Sequence, residues 1–429
     1  MIKSIKGTRD ILPPESALWS RVEKTAREIF ELYGFAEVRT PIFESTELFA
    51  RGVGEDTDIV SKEMYTFEDR DEKSLTLRPE GTAPVVRAHG EHRLQQESPI
   101  AKLYYLGPMF RRERPQKGRY RQFHQIGAEV LGSDNPAIEA EVLEMLQFFL
   151  KQIGIEDQSL LVNSIGCPVC RPRFLGELKK ALVENQALLC TDCQRRSEAN
   201  PLRVLDCKVE SCQPVIESLP KISDFLDDAC RAHFDKFLGY LASRQIPFTI
   251  VPRLVRGLDY YTRTTFEITS GALGAQNTLV GGGRYDGLAE ALGGAPTQGF
   301  GFALGLERLL LVIQDSGKQT PLPPPQLFLA PLGEAAFEKA TLLARDLRQQ
   351  GIRCVLDFET RSLKSAMRLA NKLQAQHVLI LGDSELLSGR FPLKRMSDGT
   401  QHEVHADGIA PLLRGTRSAP LQGLNQVTS

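Results

Sequence analysis

The sequence predicts an α/β (α+β) protein with two principal domains, and three observations carry that prediction. The chain has 429 residues, well past the roughly 150 expected per domain. A proline-rich stretch, KQTPLPPPQ (318–326), divides a long first part from a shorter second one, as a semi-rigid linker would. Beyond it, strand-like runs (LFLAPL, RCVLDF, HVLILG) alternate with helical segments, the pattern of a small α/β domain with a largely parallel sheet. The expected division is 1–325 and 326–429, with an insertion at about 165–245 inside the first part.

The elements follow in order. Residues 16–33 read as a helix, because Leu18, Val22, Ile29 and Tyr33 fall at helical spacing, Pro13 and Pro14 precede them and Gly34 can end it. FAEVRTPIFE reads as a strand interrupted by Pro41; a residue without an N–H belongs on an edge or at an interface. Residues 103–113 and 121–131 read as two strands joined by a basic loop, and Asn135-Pro136 starts a helix. Helical stretches and cysteines fill 160–250, and strand character resumes over 253–268. GGGRYDGL reads as a flexible turn. QGFGFALGLERLLLVI then reads as a glycine-punctuated strand that delivers Glu307 and Arg308 to a helix start.

Composition bounds the function. Hydrophobic residues make up 41% and charged residues 25%, as in ordinary globular proteins. Lys and Arg number 53 against 54 Asp and Glu, so any nucleic-acid surface has to be local. The N-terminus lacks the apolar core of a secretory signal. The aliphatic run Leu309–Ile313 is far too short to span a bilayer. A soluble, cytoplasmic protein without a membrane partner is the expectation. Seven of the eight cysteines lie between Cys167 and Cys230, and such clustering points to metal rather than disulfides. Cys167-x2-Cys170 and Cys190-x2-Cys193 are 19 residues apart, close to a zinc-ribbon spacing, and make a candidate structural Zn²⁺ site. Cys207 and Cys212 can substitute for either pair. The alternative is inert thiols in an insertion that folds without metal.

Four segments carry chemistry. In 121–131, alternation puts Phe123, Gln125 and Glu129 on one face and Ile126, Ala128 and Val130 on the other. Arg111 and Glu113 share one face of the preceding strand by the same rule. The joining segment RRERPQKGRYR has six basic residues and one acid, which suits phosphates, while Phe123 offers an aromatic face to a base. In LTLRPEGT (75–82), Glu80 beside Thr82 suits an ammonium group. In LVRGLDYY (254–261), an arginine amid strand-like residues is unusual for a core; a structural pair between Arg256 and Asp259 is the competing explanation. In GFGFALGLER, Arg308 opposes the helix dipole, a placement that makes sense beside an anion. Neither a GxxxxGK[ST] phosphate loop nor a strand–GxGxxG–helix fingerprint occurs.

Together these segments resemble class II aminoacyl-tRNA synthetases, and specifically the histidyl-tRNA synthetase family. The helix and strand ending at Pro41 are similar to the dimer-forming motif 1, FRRERPQKGRYRQFHQIGAEV to motif 2, and GFGFALGLER to motif 3. LVRGLDYYTRTTFE and GGGRYDGL are similar to the two signatures of the histidine-specific members. The resemblance implies an antiparallel-sheet catalytic core and a C-terminal anticodon-binding domain. It also implies a homodimer that activates L-histidine with ATP and Mg²⁺ and charges tRNA(His). Residue by residue it implies that Arg111 holds the α-phosphate, with Arg256 opposite it on the carboxylate and α-phosphate. Arg308 would bind the γ-phosphate, Phe123 would stack on adenine, and Glu113 and Arg119 would line the nucleotide site. Glu80, Thr82 and Gln125 would hold the α-amino group. Glu129 and Tyr261 would read the imidazole, with Tyr260 and Tyr285 closing the pocket. Arg114 and Gln116 would meet the tRNA acceptor end, and Arg361, Lys364, Arg368 and Lys372 would form one basic helix face for the anticodon stem or for solvent. The competing function is the non-catalytic regulatory paralogue that binds the ATP phosphoribosyltransferase of histidine biosynthesis.

Overall fold

The computed structural model describes residues 2–55, 57–273, 277–315, 324–359 and 362–415. Internal contacts group the chain into two units, 1–321 and 322–429.

The first unit contributes eleven strands among its described residues: β1 (Ala36–Glu37), β2 (Phe43–Ser45), β3 (Tyr65–Glu68), β4 (Ser74–Leu77), β5 (Ala101–Phe110), β6 (Gln122–Leu131), β7 (Ser159–Ser164), β8 (Thr249–Ile250), β9 (Thr262–Thr269), β10 (Thr278–Arg284) and β11 (Gly299–Gly305). Eight of them form one sheet in the order β1-β5-β6-β11-β10-β9-β7-β8. Its central pairings are antiparallel, and only the outermost pairs, β1 with β5 and β7 with β8, are parallel. One face is the core. Ile126, Ala128 and Val130 of β6 lie there as alternation predicts, packed with Phe30, Phe149, Phe237, Phe266 and Phe302. Phe30 meets Tyr104, Phe149 and Phe302 edge-on, so truncating it to alanine would cost about 3–5 kcal/mol. The helices Glu15–Leu32, Pro136–Gln152 and Asp228–Ser243 supply the covering side chains. The second of these starts where expected: the Asn135 side chain accepts the Ala137 N–H at 3.0 Å and Pro136 takes the first helical position.

Several local expectations change. FAEVRTPIFE is not one strand. Pro41 separates β1, at the edge of the large sheet, from β2, which pairs with β4 in a three-stranded sheet β2-β4-β3. Strand β5 ends at Phe110, so Arg111 and Glu113 leave the sheet as the loop begins. LVRGLDYY is a run of turns, and β9 starts only at Thr262. The turns allow Tyr260 and Tyr261 to stand ring against ring, 4.7 Å between centroids, which strand alternation forbids. GGGR of GGGRYDGL is no loop: it forms the last four residues of β10, paired with β9 on one side and β11 on the other.

Within 165–245 the helices Arg171–Glu184, Thr191–Ala199 and Gln213–Ser218 surround a second core that includes Phe174, Leu178, Leu182, Leu205 and Ile216. The helix Asp228–Ser243 belongs elsewhere. Phe234, Phe237 and Leu241 form a stripe buried in the main core.

The second unit contains β12 (Leu327–Pro331), β13 (Cys354–Leu356), β14 (His377–Leu381), β15 (Phe391–Arg395) and β16 (Gln401–Val404) in the order β13-β12-β14-β15-β16. The first three are parallel; β15 and β16 are antiparallel. The sheet is therefore mixed rather than largely parallel, because the turn at 396–398 followed by Gly399 at φ +74° folds β15 and β16 into a hairpin. Lys364, Arg368 and Lys372 are exposed along the helix Leu363–Lys372. Arg361 lies outside the described residues. Among the described residues no helix is long and apolar enough to cross a membrane.

Candidate active site

The sheet face opposite the core opens into a cleft of about 210 Å³, lined by Glu80, Thr82, Arg111, Glu113, Arg119, Phe123, Gln125, Arg256, Tyr260, Tyr261, Thr278, Gly281 and Arg308, among others. Residues from five separate segments of the sequence thus converge on one space. Glu129 and Tyr285 lie directly beneath it, fully buried. Arg114 and Gln116 are exposed on the loop and do not line it.

At one end the groups are buried and polar. Glu80 accepts the backbone N–H groups of Thr82 (2.7 Å) and Ala83 (2.9 Å), anchoring the start of the helix Thr82–Glu91. Thr82 donates its hydroxyl to Glu129 Oε1 at 2.7 Å, and Tyr285 donates to Glu129 Oε2 at 2.5 Å. Burial raises the Glu80 carboxyl above its ordinary range and pushes the Glu129 carboxyl up to about 8, against the opposing pull of the Tyr285 and Thr82 hydrogen bonds. Burial also raises the Tyr261 phenol to about 12. The Gln125 amide oxygen is buried without a partner, a cost of about 1–3 kcal/mol that a ligand donor would remove.

The other end is cationic. Arg256 is ion-paired with Glu267, which also accepts the Thr278 hydroxyl at 2.8 Å. Burial disfavours the Arg256 charge, but the Glu267 carboxylate outweighs it and the guanidinium is held more firmly protonated. Its Nε is buried without a partner. Asp259 is not its partner: that carboxylate accepts from Asn200 at 3.0 Å. Arg111 donates to the Pro79 carbonyl at 3.0 Å and stands over the Phe123 ring at 5.3 Å. Arg119 pairs with Glu113 at 2.9 Å. Arg308 is shifted towards deprotonation, first by burial and then by Arg119. Two arginines that feel each other's charge in a partly dry cleft favour an anion nearby.

Glycines of β10 and β11 make room for these side chains. A Cβ on Gly281 would overlap the Arg256 guanidinium, on Gly301 the Glu129 carboxylate, and on Gly299 the Tyr285 ring. The Tyr105 ring likewise fills the space a side chain on Gly81 or Gly127 would need.

A family model described as histidyl-tRNA synthetase matches residues 7–168 and 179–309, and one described as an anticodon binding domain matches 326–416. The chain belongs to the histidyl-tRNA synthetase family. The histidine–tRNA ligase of Solibacter usitatus is 56% identical over 96% of this chain and 99% of its own length. That of Koribacter versatilis is 50% identical over 99% of each. The crystal structure of apo histidyl-tRNA synthetase from S. aureus, 38% identical, superposes with a TM-score of 0.82 over 96% of this chain and 100% of that one. The class II fold expected from the motifs is therefore the fold of this family member.

The four cysteines expected to share a metal do not meet. In sequence the 14-residue helix Arg171–Glu184, about 21 Å long at 1.5 Å per residue, lies between the two CxxC pairs, and the ligand atoms gather into two different groups. Each pair finds other partners: Cys190 and Cys193 with Cys207 and Cys212, and Cys167 and Cys170 with Asp227 and Cys230. Sequence reasoning also missed Glu267, Tyr105 and Gly281. For Glu267 a signal exists, a lone acid in the otherwise uncharged strand stretch TTFEIT. For Tyr105 there is none, since LYYLG reads as ordinary core.

Proposed function

We propose that this cleft activates L-histidine with ATP to histidyl-adenylate and pyrophosphate, and then transfers histidine to tRNA(His). The convergence of Arg111, Arg256 and Arg308 on one cleft beside a buried Glu129 carries the reading. In the first step a histidine carboxylate oxygen attacks the α-phosphorus, the P–O bond to the β-phosphate breaks, and pyrophosphate leaves with the electron pair. No proton has to move, so positioning and charge stabilisation carry the rate. Arg111 and Arg256 hold the α-phosphate from two sides. Arg256 already stands at the site because Glu267 holds it there. Arg308 takes the terminal phosphate, Phe123 meets adenine on the face that Arg111 does not cover, and Glu113 orients Arg119. The oxygen donors a Mg²⁺ could use, Glu113 and Glu267, already carry arginine partners. That set fits a metal arriving on the triphosphate rather than a cage built in advance; when bound it neutralises phosphate charge.

Glu129 accepts an imidazole N–H, with Tyr261 at the other side of the ring and Tyr260 and Tyr285 as walls. A buried site built to hydrogen-bond both imidazole nitrogens, through Glu129 and Tyr261, discriminates strongly against side chains that cannot make both contacts. Gln125 accepts from the α-ammonium beside Glu80 and Thr82. Arg114 and Gln116 are exposed where an acceptor end can reach them, and Lys364, Arg368 and Lys372 offer a basic face to the anticodon stem. The chain acts as a homodimer through the Pro41 region. Sedimentation at about 48 kDa, the single-chain mass, at micromolar concentration would contradict that. The regulatory-paralogue alternative requires no triphosphate-binding arginines, and this cleft keeps all three. Charging of tRNA(His) with labelled histidine tests the whole reading, and a protein that binds histidine but never charges tRNA would restore the alternative.

A further inference from the structure

We infer that the module within 165–230 is built around two separate tetrahedral zinc centres, one of four cysteines and one of three cysteines and an aspartate. The first comprises Cys190, Cys193, Cys207 and Cys212, and the second Cys167, Cys170, Asp227 and Cys230; within each group all ligand atoms lie within 4.8 Å of one another. The spacing fits zinc. Zinc–sulfur bonds of about 2.3 Å in a tetrahedron set neighbouring sulfurs about 3.8 Å apart. The pairs Cys167–Cys170, Cys170–Cys230 and Cys190–Cys207 stand at 3.7, 3.8 and 3.9 Å. The Asp227 Oδ2 lies 3.3 Å from the Cys167 Sγ, as the shorter zinc–oxygen bond requires. A cluster of several irons would hold its cysteines farther apart, and every one of these cysteines is free of disulfide.

The surroundings are those of thiolates. Backbone N–H groups donate to four of the sulfurs: Cys167 to Cys170 at 3.1 Å, Val169 to Cys167 at 3.4 Å, Cys190 to Cys212 at 3.1 Å, and Val209 to Cys207 at 3.4 Å. Such outer contacts orient metal ligands and stabilise their charge. Gly166, at φ +66°, has no Cβ because one would stand 2.7 Å from the Cys170 sulfur. Asp227 uses its other oxygen, Oδ1, to accept the Cys230 N–H at 2.7 Å, so one side chain both caps the helix Asp228–Ser243 and points an anionic oxygen at the centre. A small module with one modest core gains most from such staples. The second centre lies behind the proposed histidine pocket. Arg171, next to Cys170, donates to the Tyr261 carbonyl at 2.7 Å.

The test is metal content of the full-length protein purified without chelator, which does not depend on the proposed activity. Two zinc ions per chain are expected. X-ray absorption at the zinc edge should show on average seven sulfurs to one oxygen over the two sites, from the four- and three-cysteine sets. Asp227→Asn keeps the helix cap, since asparagine caps as well as aspartate, and should lower the content towards one. One zinc in the parent protein overturns the two-centre assignment. Less than a few tenths of an equivalent, or iron in place of zinc, overturns the proposal altogether. Two firmly held zinc ions in Asp227→Asn would remove Asp227 from the ligand set.

Discussion

Gly281→Ala tests the cleft by displacing the Arg256 guanidinium without removing it. The new Cβ would stand 2.5 Å from the Arg256 Cζ and 2.9 Å from its Nη1, against the 3.5–4.0 Å at which such atoms rest. Nη2 would be closer still, so the guanidinium has to move by more than about 1 Å, and because it is the far end of a flexible side chain the strand itself can stay. A misplacement of about 1 Å costs about 10²-fold in a positioned reaction, close to the 10²–10³ typical of losing one electrostatic donor. Single-turnover adenylation by rapid quench should slow by about 10², with histidine and ATP affinities little changed and the melting temperature within a few degrees. Arg256→His should show a loss of the same order. The double variant should be no slower than the slower single one, because both changes act through one guanidinium. A Gly281→Ala protein at full rate, or a double variant whose losses multiply, would show that Arg256 is structural.

Arg308→Ala should raise the KM for ATP as well as slow adenylation, because a terminal-phosphate contact exists in the ground state too; a loss in kcat alone removes that assignment. Glu129 gives a pH signature. Its folded value of about 8 lies above the unfolded value of about 4.3. The native state therefore keeps a proton that the unfolded state has lost, and stability falls as pH rises through that window. Glu129→Gln should gain in melting temperature relative to the parent between pH 5 and 8 while binding histidine more weakly; parallel pH curves for the two proteins would contradict the burial argument. A chain ending near Lys318 should still adenylate histidine but charge tRNA poorly, and equal charging by both forms removes the anticodon role of the second unit.

Much of this was legible in the sequence because it rests on periodicity. Alternation in RQFHQIGAEVL separated Ile126, Ala128 and Val130 from Phe123, Gln125 and Glu129, and a sheet with one dry face has to obey it. Asn135-Pro136 and the glycine-punctuated GFGFALG were equally readable. What was not legible is what depends on tertiary approach. LVRGLDYY has the β-branched and aromatic content of a strand, but its two tyrosines serve one pocket and the backbone turns to let them. GGGR has turn composition and sits in the central strand, because Arg256 needs the space above Gly281. The cysteines were grouped by spacing along the chain, which cannot register that each side of the helix of about four turns between the pairs gathers its own ligands from farther along the chain.

The central claim is that this cleft activates histidine in preference to any other amino acid. Amino-acid-dependent ATP–pyrophosphate exchange across a panel of all twenty, on the purified full-length protein, tests it most directly. Exchange with histidine and near-background rates with the rest are expected, because only an imidazole satisfies Glu129 and Tyr261 together. No exchange with histidine, or faster exchange with another amino acid, would contradict the account.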